Sequence, residues 1–145
     1  MRAVIQRVKR ASVKVDNKII GKINNGLLVF LAISKEDEEK DIDFMVKKVI
    51  NLRIFEDNNG KMNLSLLDKN YELLIVSQFT LYGDVRKGYR PNFMKSANRE
   101  KAISFYNKFI DKIKNIGIKV ATGEFGAMME VELINDGPVT IIINS

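Results

Sequence analysis

Cysteine and histidine are both absent from the 145 residues. Without cysteine there is no disulfide framework, no thiolate nucleophile and no thiolate metal site. Without histidine the chain lacks the side chain whose ordinary pKa best suits proton transfer near neutrality. Every Ser-His-Asp or Cys-His arrangement goes with it, and nearly every transition-metal site. Any hydrolytic chemistry must therefore move its protons by other means. Proline occurs only twice, as Pro91 and Pro138. No apolar run approaches the ~18–20 residues that cross a bilayer. Met1 to Gln6 begins directly with a strand pattern, with no charged-then-apolar leader before it. A cytoplasmic location is the expectation.

What is present reads as one domain over residues 1–145, long enough to bury a core without covalent staples. The formal charge is +6, and the cations are clustered. One cluster lies in residues 1–25, as Arg2, Arg7, Lys9, Arg10, Lys14, Lys18 and Lys22 against Asp16 alone. The other lies in residues 86–101, as Arg86, Lys87, Arg90, Lys95, Arg99 and Lys101 against Glu100 alone. Such segregation suits a polyanionic partner, and solvated basic faces would give the same pattern.

Alternation predicts strands over residues 2–8 and 12–15, and the apolar run Leu27–Ile33 predicts a strand covered on both faces. Acids from Glu36 to Asp43 gather ahead of Ile42, Met45, Val46, Val49 and Ile50, whose spacing makes one buried stripe of a helix. Asp57-Asn58-Asn59-Gly60 predicts a turn; with Asp68 at the twelfth position and no helix leading in, it is not a calcium loop. Tyr71–Val76 is a second buried strand. A second helix is predicted from about Ser96 to Ile116, with Ala102, Phe105, Tyr106, Phe109, Ile113 and Ile116 on one face. Strands at Lys119–Thr122, Met128–Ile134 and Val139–Ile143 follow. This order predicts an α+β fold: a mostly antiparallel sheet with a barrel-like core and two main helices.

Two stretches stand out. Ser77-Gln78-Phe79-Thr80 places small polar and amide side chains at the mouth of a buried strand, next to a long basic connection from Leu81 to Phe93. Hydroxyls without a base are weak nucleophiles. Backbone amides at such a strand end could instead stabilise an oxyanion. Asn135-Asp136-Gly137-Pro138-Val139-Thr140 separates the last two strand patterns. Local chemistry predicts the tip of a closing hairpin. Proline at the first residue of a return strand argues against that, because the position could otherwise donate a ladder bond.

Together with Met1–Val8, Gly88-Tyr89-Arg90-Pro91-Asn92-Phe93 and Phe125-Gly126-Ala127-Met128-Met129, these stretches resemble the D-aminoacyl-tRNA deacylase family over the whole chain. The resemblance implies a homodimer that hydrolyses the ester between a D-amino acid and the terminal adenosine of tRNA, rejecting the L form, with no cofactor and no metal. It implies a reaction pocket of Ser77, Gln78, Phe79 and Thr80. It further implies a cis Gly137–Pro138 dipeptide reaching into the partner subunit's pocket, steadied by Arg7, with Phe125 and Met129 joining in substrate binding. The tRNA's own 2′-hydroxyl is implied as the proton-handling group. Two other readings stand beside it: a small-ester hydrolase with Thr80 as nucleophile, and a non-enzymatic RNA-binding module.

Overall fold

The computed structural model describes every residue from Met1 to Ser145. Strands β1 (Arg2–Val15), β2 (Lys18–Ile23) and β3 (Gly26–Ala32) lead into helix α1 (Glu39–Asn51). Short strands β4 (Phe55–Glu56) and β5 (Met62–Leu64), the single turn α2 (Leu66–Lys69) and strand β6 (Glu72–Ser77) follow. A 3-10 turn at Phe79–Tyr82 precedes helix α3 (Arg99–Asn115), strand β7 (Val120–Thr122) and strand β8 (Glu130–Asn144).

The main sheet runs β2-β1-β3-β6-β7, with β8 also paired to β1. The three pairings of β1, with β2, β3 and β8, are antiparallel. The β3–β6 and β6–β7 pairs are parallel. Parallel neighbours need a long return connection, and these two connections contain α1 and α3. The fold is thus α+β with a mixed sheet. It curls toward a barrel, because β2 comes back against β7: a Cβ on Gly21 would sit 2.5 Å from the Thr122 carbonyl oxygen.

The apolar runs of β3 and β6 follow from this position. Leu27, Val29, Leu31, Leu73 and Ile75 face the helices and join Ile42, Met45, Val49, Phe109 and Ile113 in the larger core. Leu28, Leu74 and Val76 face the other way and pack with Val8, Ala11, Val13 and Ile23 inside the curl. A strand covered on both faces cannot show a polar–apolar alternation. The α1 stripe is buried as its spacing predicts. The second helix is shorter than expected. Asn98 caps it by accepting from the Lys101 amide at 2.9 Å, and Ile116 at its far end is 48% exposed.

Two expectations are overturned. Met128–Ile134 and Val139–Ile143 do not form a closing hairpin. They are parts of β8, which keeps one direction and pairs with β1 on both sides of the Gly-Pro pair, from Lys14↔Glu130 to Arg2↔Asn144. Between the pairs Val8↔Asn135 and Gln6↔Thr140, β1 advances two residues and β8 advances five. Residues 136–139 therefore bulge out of a continuing strand opposite Arg7. In the same way, the two short strands expected at the N-terminus are one long β1, with a register shift near Lys9 that breaks its alternation.

Several turns depend on ionised carboxylates. Asp57 accepts from the Asn63 side chain (2.6 Å) and from the Lys61 and Asn59 amides, and these bonds hold its pKa below the ordinary value. The Ser65 hydroxyl and amide do the same for Asp68, and the Glu38 amide does so for Asp41. Lys119 and the Asn24 amide lower Glu72. A depressed carboxyl stabilises the fold above its unfolded pKa, and that contribution is lost as pH falls through the folded value. The melting temperature is therefore expected to hold down to about pH 5 and to fall progressively below pH ~4. Thermal melts across a pH series check this; a midpoint that rises on acidification would contradict it.

Candidate active site

Strand β6 is buried through Val76, and its polar end emerges where the sheet stops. The Gln78 amide donates to the Leu31 carbonyl at 2.9 Å, so the ladder with β3 continues for one residue more. The chain then tightens into the 3-10 turn, with the Leu81 amide on the Gln78 carbonyl and the Gly83 amide on the Thr80 carbonyl. Outside contacts fix this turn. Arg2 Nη1 donates to the Leu81 carbonyl at 2.8 Å, with its guanidinium 5.0 Å from the Tyr82 ring centre. The Ser96 hydroxyl donates to the Phe79 carbonyl at 3.2 Å, and the Phe79 and Phe93 rings meet edge to face at 5.1 Å.

Beside the turn lies a cavity of about 460 Å³. Ser77, Gln78, Phe79, Thr80, Phe125 and Met129 all line it, so the structure gathers these six sequence-predicted residues at one place. Its remaining wall is largely apolar, including Ile33, Ala97 and Ala102. Small and packed features shape the far side. A Cβ on Gly123 would fall 2.6 Å from Met129 Sδ, so glycine there makes room for the methionine. Gly126 has φ +80, and the Arg99 guanidinium lies 3.3 Å from where its Cβ would be. The Tyr106 hydroxyl donates to the Ile75 carbonyl at 2.8 Å, while its ring packs edge to face on Phe125 at 5.7 Å. Tyr106 thus braces both the strand beneath the turn and the opposite wall.

No acidic side chain lines the cavity. The Thr80 hydroxyl accepts from the Gln78 side-chain amide, and no carboxylate lines the cavity to take its proton. Burial pushes the Tyr106 phenol up, and burial together with the nearby Asp37 pushes Tyr82 up to about 12. Both phenols stay protonated at neutral pH. The site offers position, hydroxyls, an amide and main-chain dipoles, and no side-chain base.

Arg7, Gly137 and Pro138 lie elsewhere and line no part of this cavity. The Gly137–Pro138 peptide is cis, and both residues are exposed. Arg7, only 6% exposed, holds the base of the bulge. Its Nη1 donates to the Ile54 carbonyl at 2.5 Å and its Nε to the Asp136 carbonyl at 3.0 Å, with the Asp136 carboxylate 3.3 Å away. Gly137 has φ +133, and a Cβ there would meet Val139 Cγ2 at 2.7 Å and Arg7 Nη2 at 3.3 Å. Only glycine fits that conformation and that space.

The basic clusters are unequal. Arg7 is buried, Arg2 is committed to Leu81 and Asn144, and Lys101 donates to the Lys35 carbonyl. Lys9, Arg10, Lys18 and Lys22 remain exposed in the first cluster, and Lys87, Arg90 and Lys95 in the second. Arg86 is paired with Asp84. Sequence reasoning did not place Ser96, Ala97, Arg99 or Ala102 at the site. Each reads as an ordinary residue at a helix start, and only the fold of α3 over β6 gives it a role.

The D-Tyr-tRNA(Tyr) deacylase family profile matches residues 4–144. The chain is 61% identical over 145 residues to the D-aminoacyl-tRNA deacylase of Thermosipho africanus, covering 100% of this chain and 97% of that one. It is equally similar, at 61% with the same coverage, to the enzyme of that name from Clostridium kluyveri. Among solved structures it resembles a protein described as c-Myc DNA Unwinding Element Binding Protein, with a TM-score of 0.94 and 46% identity over 100% of this chain and 99% of that one. A probable eukaryotic D-amino acid tRNA deacylase superposes with a TM-score of 0.84 at 20% identity, over 98% and 97% of the two chains, a likeness of fold.

Proposed function

Because the chain belongs to the D-Tyr-tRNA(Tyr) deacylase family, we propose that the cavity at the end of β6 is where it hydrolyses the ester joining a D-amino acid to the 3′-terminal adenosine of tRNA. The observation that carries this is the cavity itself: Ser77, Gln78, Phe79 and Thr80 on one side, Phe125 and Met129 on the other, and no ionisable side chain among them. An aminoacyl ester is already activated, so holding it in place and stabilising the oxyanion can suffice. A single preorganised donor is worth ~2.7–4 kcal/mol where one has been removed from other enzymes. The backbone amides that open the Phe79–Tyr82 turn, those of Phe79 and Thr80, fill that role, since the Leu81 amide is already bonded to the Gln78 carbonyl. The ribose 2′-hydroxyl beside the ester supplies the proton handling that the protein lacks.

Selection between enantiomers is assigned to the Gly137–Pro138 dipeptide, acting in the pocket of a second copy of the chain. In support, the dipeptide is exposed, clamped at its base and absent from its own chain's cavity. Strand β8 also pairs with β1 alone and leaves its outer edge open, with Ile134, Ile142 and the nearby Met128 exposed. An open edge carrying apolar side chains suits pairing between identical subunits. Carbonyls of a fixed dipeptide, set where an L side chain would have to enter, reject it sterically. The exposed lysines and arginines of the 86–95 connection and of the β1–β2 region are assigned to tRNA phosphates.

In a deacylation assay the protein is expected to release D-tyrosine from D-tyrosyl-tRNA and to leave L-tyrosyl-tRNA largely intact, with no change on adding a chelator. Equal turnover of the two esters would sink the chiral reading. Salt-sensitive tRNA binding without release of amino acid would favour the RNA-binding module instead.

A further inference from the structure

The four residues of the bulge in β8 have no register partner on β1. Side chains must therefore fix them, and Arg7 reaches only the leading one, Asp136. The trailing end is fixed from across the mouth of the loop. Asn135 Oδ1 accepts from the Val139 amide at 2.9 Å, and Asn135 Nδ2 donates to Thr140 Oγ1 at 3.1 Å. Gln6 Nε2 also reaches Thr140 Oγ1, at 3.3 Å. A main-chain N–H can only donate, so the Val139 amide sets which way the Asn135 side chain faces. One acceptor and one donor on a single planar group stand in for the cross-strand peptide that the bulge removes. Val139 in turn bounds the dipeptide, since its Cγ2 lies 2.7 Å from where a Gly137 Cβ would be.

We propose that Asn135 is a positioning residue for enantiomer selection: its amide fixes Val139, and through Val139 the place of the Gly137–Pro138 carbonyls. This rests on the reading that the dipeptide excludes L substrates. Asn135 is not part of the reaction cavity, so its loss should move selectivity and leave D-ester chemistry alone. A merely structural staple would instead lower both together, or neither.

The test compares Asn135→Ala and Asn135→Asp on D- and L-tyrosyl-tRNA. Losing a hydrogen bond of ordinary net strength shifts an equilibrium about five- to ten-fold. Asn135→Ala is expected to raise L-ester turnover relative to D by about that factor, with kcat and KM for the D ester within about three-fold. Asn135→Asp keeps the acceptor for Val139, and the Thr140 hydroxyl can donate to it, so it should restore the wild-type ratio. An unchanged ratio in Asn135→Ala, or equal loss of both activities, overturns the proposal. Amide exchange in the wild type is a check independent of how the variants fold. Val139 should be protected at least about ten-fold relative to an open amide, and an unprotected Val139 overturns the clasp. The two failures are separable. A wild type that prefers neither enantiomer sinks the dipeptide reading and this role with it; a selective wild type with an indifferent Asn135→Ala sinks only the role of Asn135.

Discussion

Replacing Arg7 with alanine is expected to cost about 2–4 kcal/mol of stability and to let the protein turn over L-aminoacyl-tRNA. The energetic part follows from what the guanidinium satisfies. It is 6% exposed and donates to two main-chain carbonyls, those of Ile54 and Asp136. Each is a charge-assisted bond, worth ~1.5–3 kcal/mol at most, and water entering the space left by the guanidinium re-solvates the two carbonyls and returns part of that sum. The Asp136 carboxylate at 3.3 Å is 39% exposed, so water replaces much of that part of the interaction, which adds little. For a chain of this length the midpoint should drop by about 10 °C. The functional part follows from the bulge: with its leading end released, the dipeptide has only the trailing contacts to hold it. Arg7→Lys should fall between the two, because one ammonium cannot serve two carbonyls in fixed directions. Melting curves and the ratio of L to D turnover check both parts. A destabilised Arg7→Ala that still rejects the L ester would separate stability from selection and remove Arg7 from the second.

The difference between a hairpin tip and this bulge marks the limit of what the chain reveals locally. Alternation at Met128–Ile134 and Val139–Ile143 correctly indicates strands with two faces. It carries no information on which strand lies alongside, so a reversal and an interruption look the same. The deciding fact is the length of β1, which can pair with β8 for its whole run, and β1 was itself disguised by the shift at Lys9. Proline at position 138 was the one local sign against a hairpin, and its physical reason, the missing donor, holds in a bulge where no ladder bond is made. Elements defined by their own periodicity, such as the α1 stripe, were legible because burial on one face needs no knowledge of the partner. The parallel pairing of β3 with β6 was not, since direction depends on the crossover and not on the run.

The reaction cavity was half legible for a similar reason. Ser77-Gln78-Phe79-Thr80 is chemically odd at the end of a buried strand, and oddness shows in sequence. Ala97, Ala102 and Ile33 supply space and an apolar wall, and their side chains are ordinary for the start of a helix and the end of a strand. Arg7 sat inside a basic cluster and would have been counted among phosphate contacts by charge alone. Its burial gives it the opposite assignment, toward the protein's own carbonyls.

Removing the 2′-hydroxyl from the terminal adenosine of a D-aminoacyl-tRNA is expected to lower kcat by at least about 10²–10⁴, the usual scale of a lost proton-transfer group. Thr80→Ala is expected to keep D-ester turnover within about ten-fold. The contrast follows from the inventory of the cavity. Its lining holds no carboxylate, and the chain has no imidazole or thiol to place there. The two phenols packed near it have pKa values pushed up and remain protonated. Thr80 itself accepts a bond from Gln78, which does not prepare an oxygen to attack. A hydroxyl without a base is a poor nucleophile, whereas one delivered by the substrate beside the scissile carbonyl needs only to be held there. Both substrates should bind with similar affinity, so the loss should sit in kcat. The opposite pattern, full activity on the 2′-deoxy ester with Thr80→Ala inactive and an acyl-enzyme trapped in the wild type, would make Thr80 the nucleophile and overturn substrate assistance.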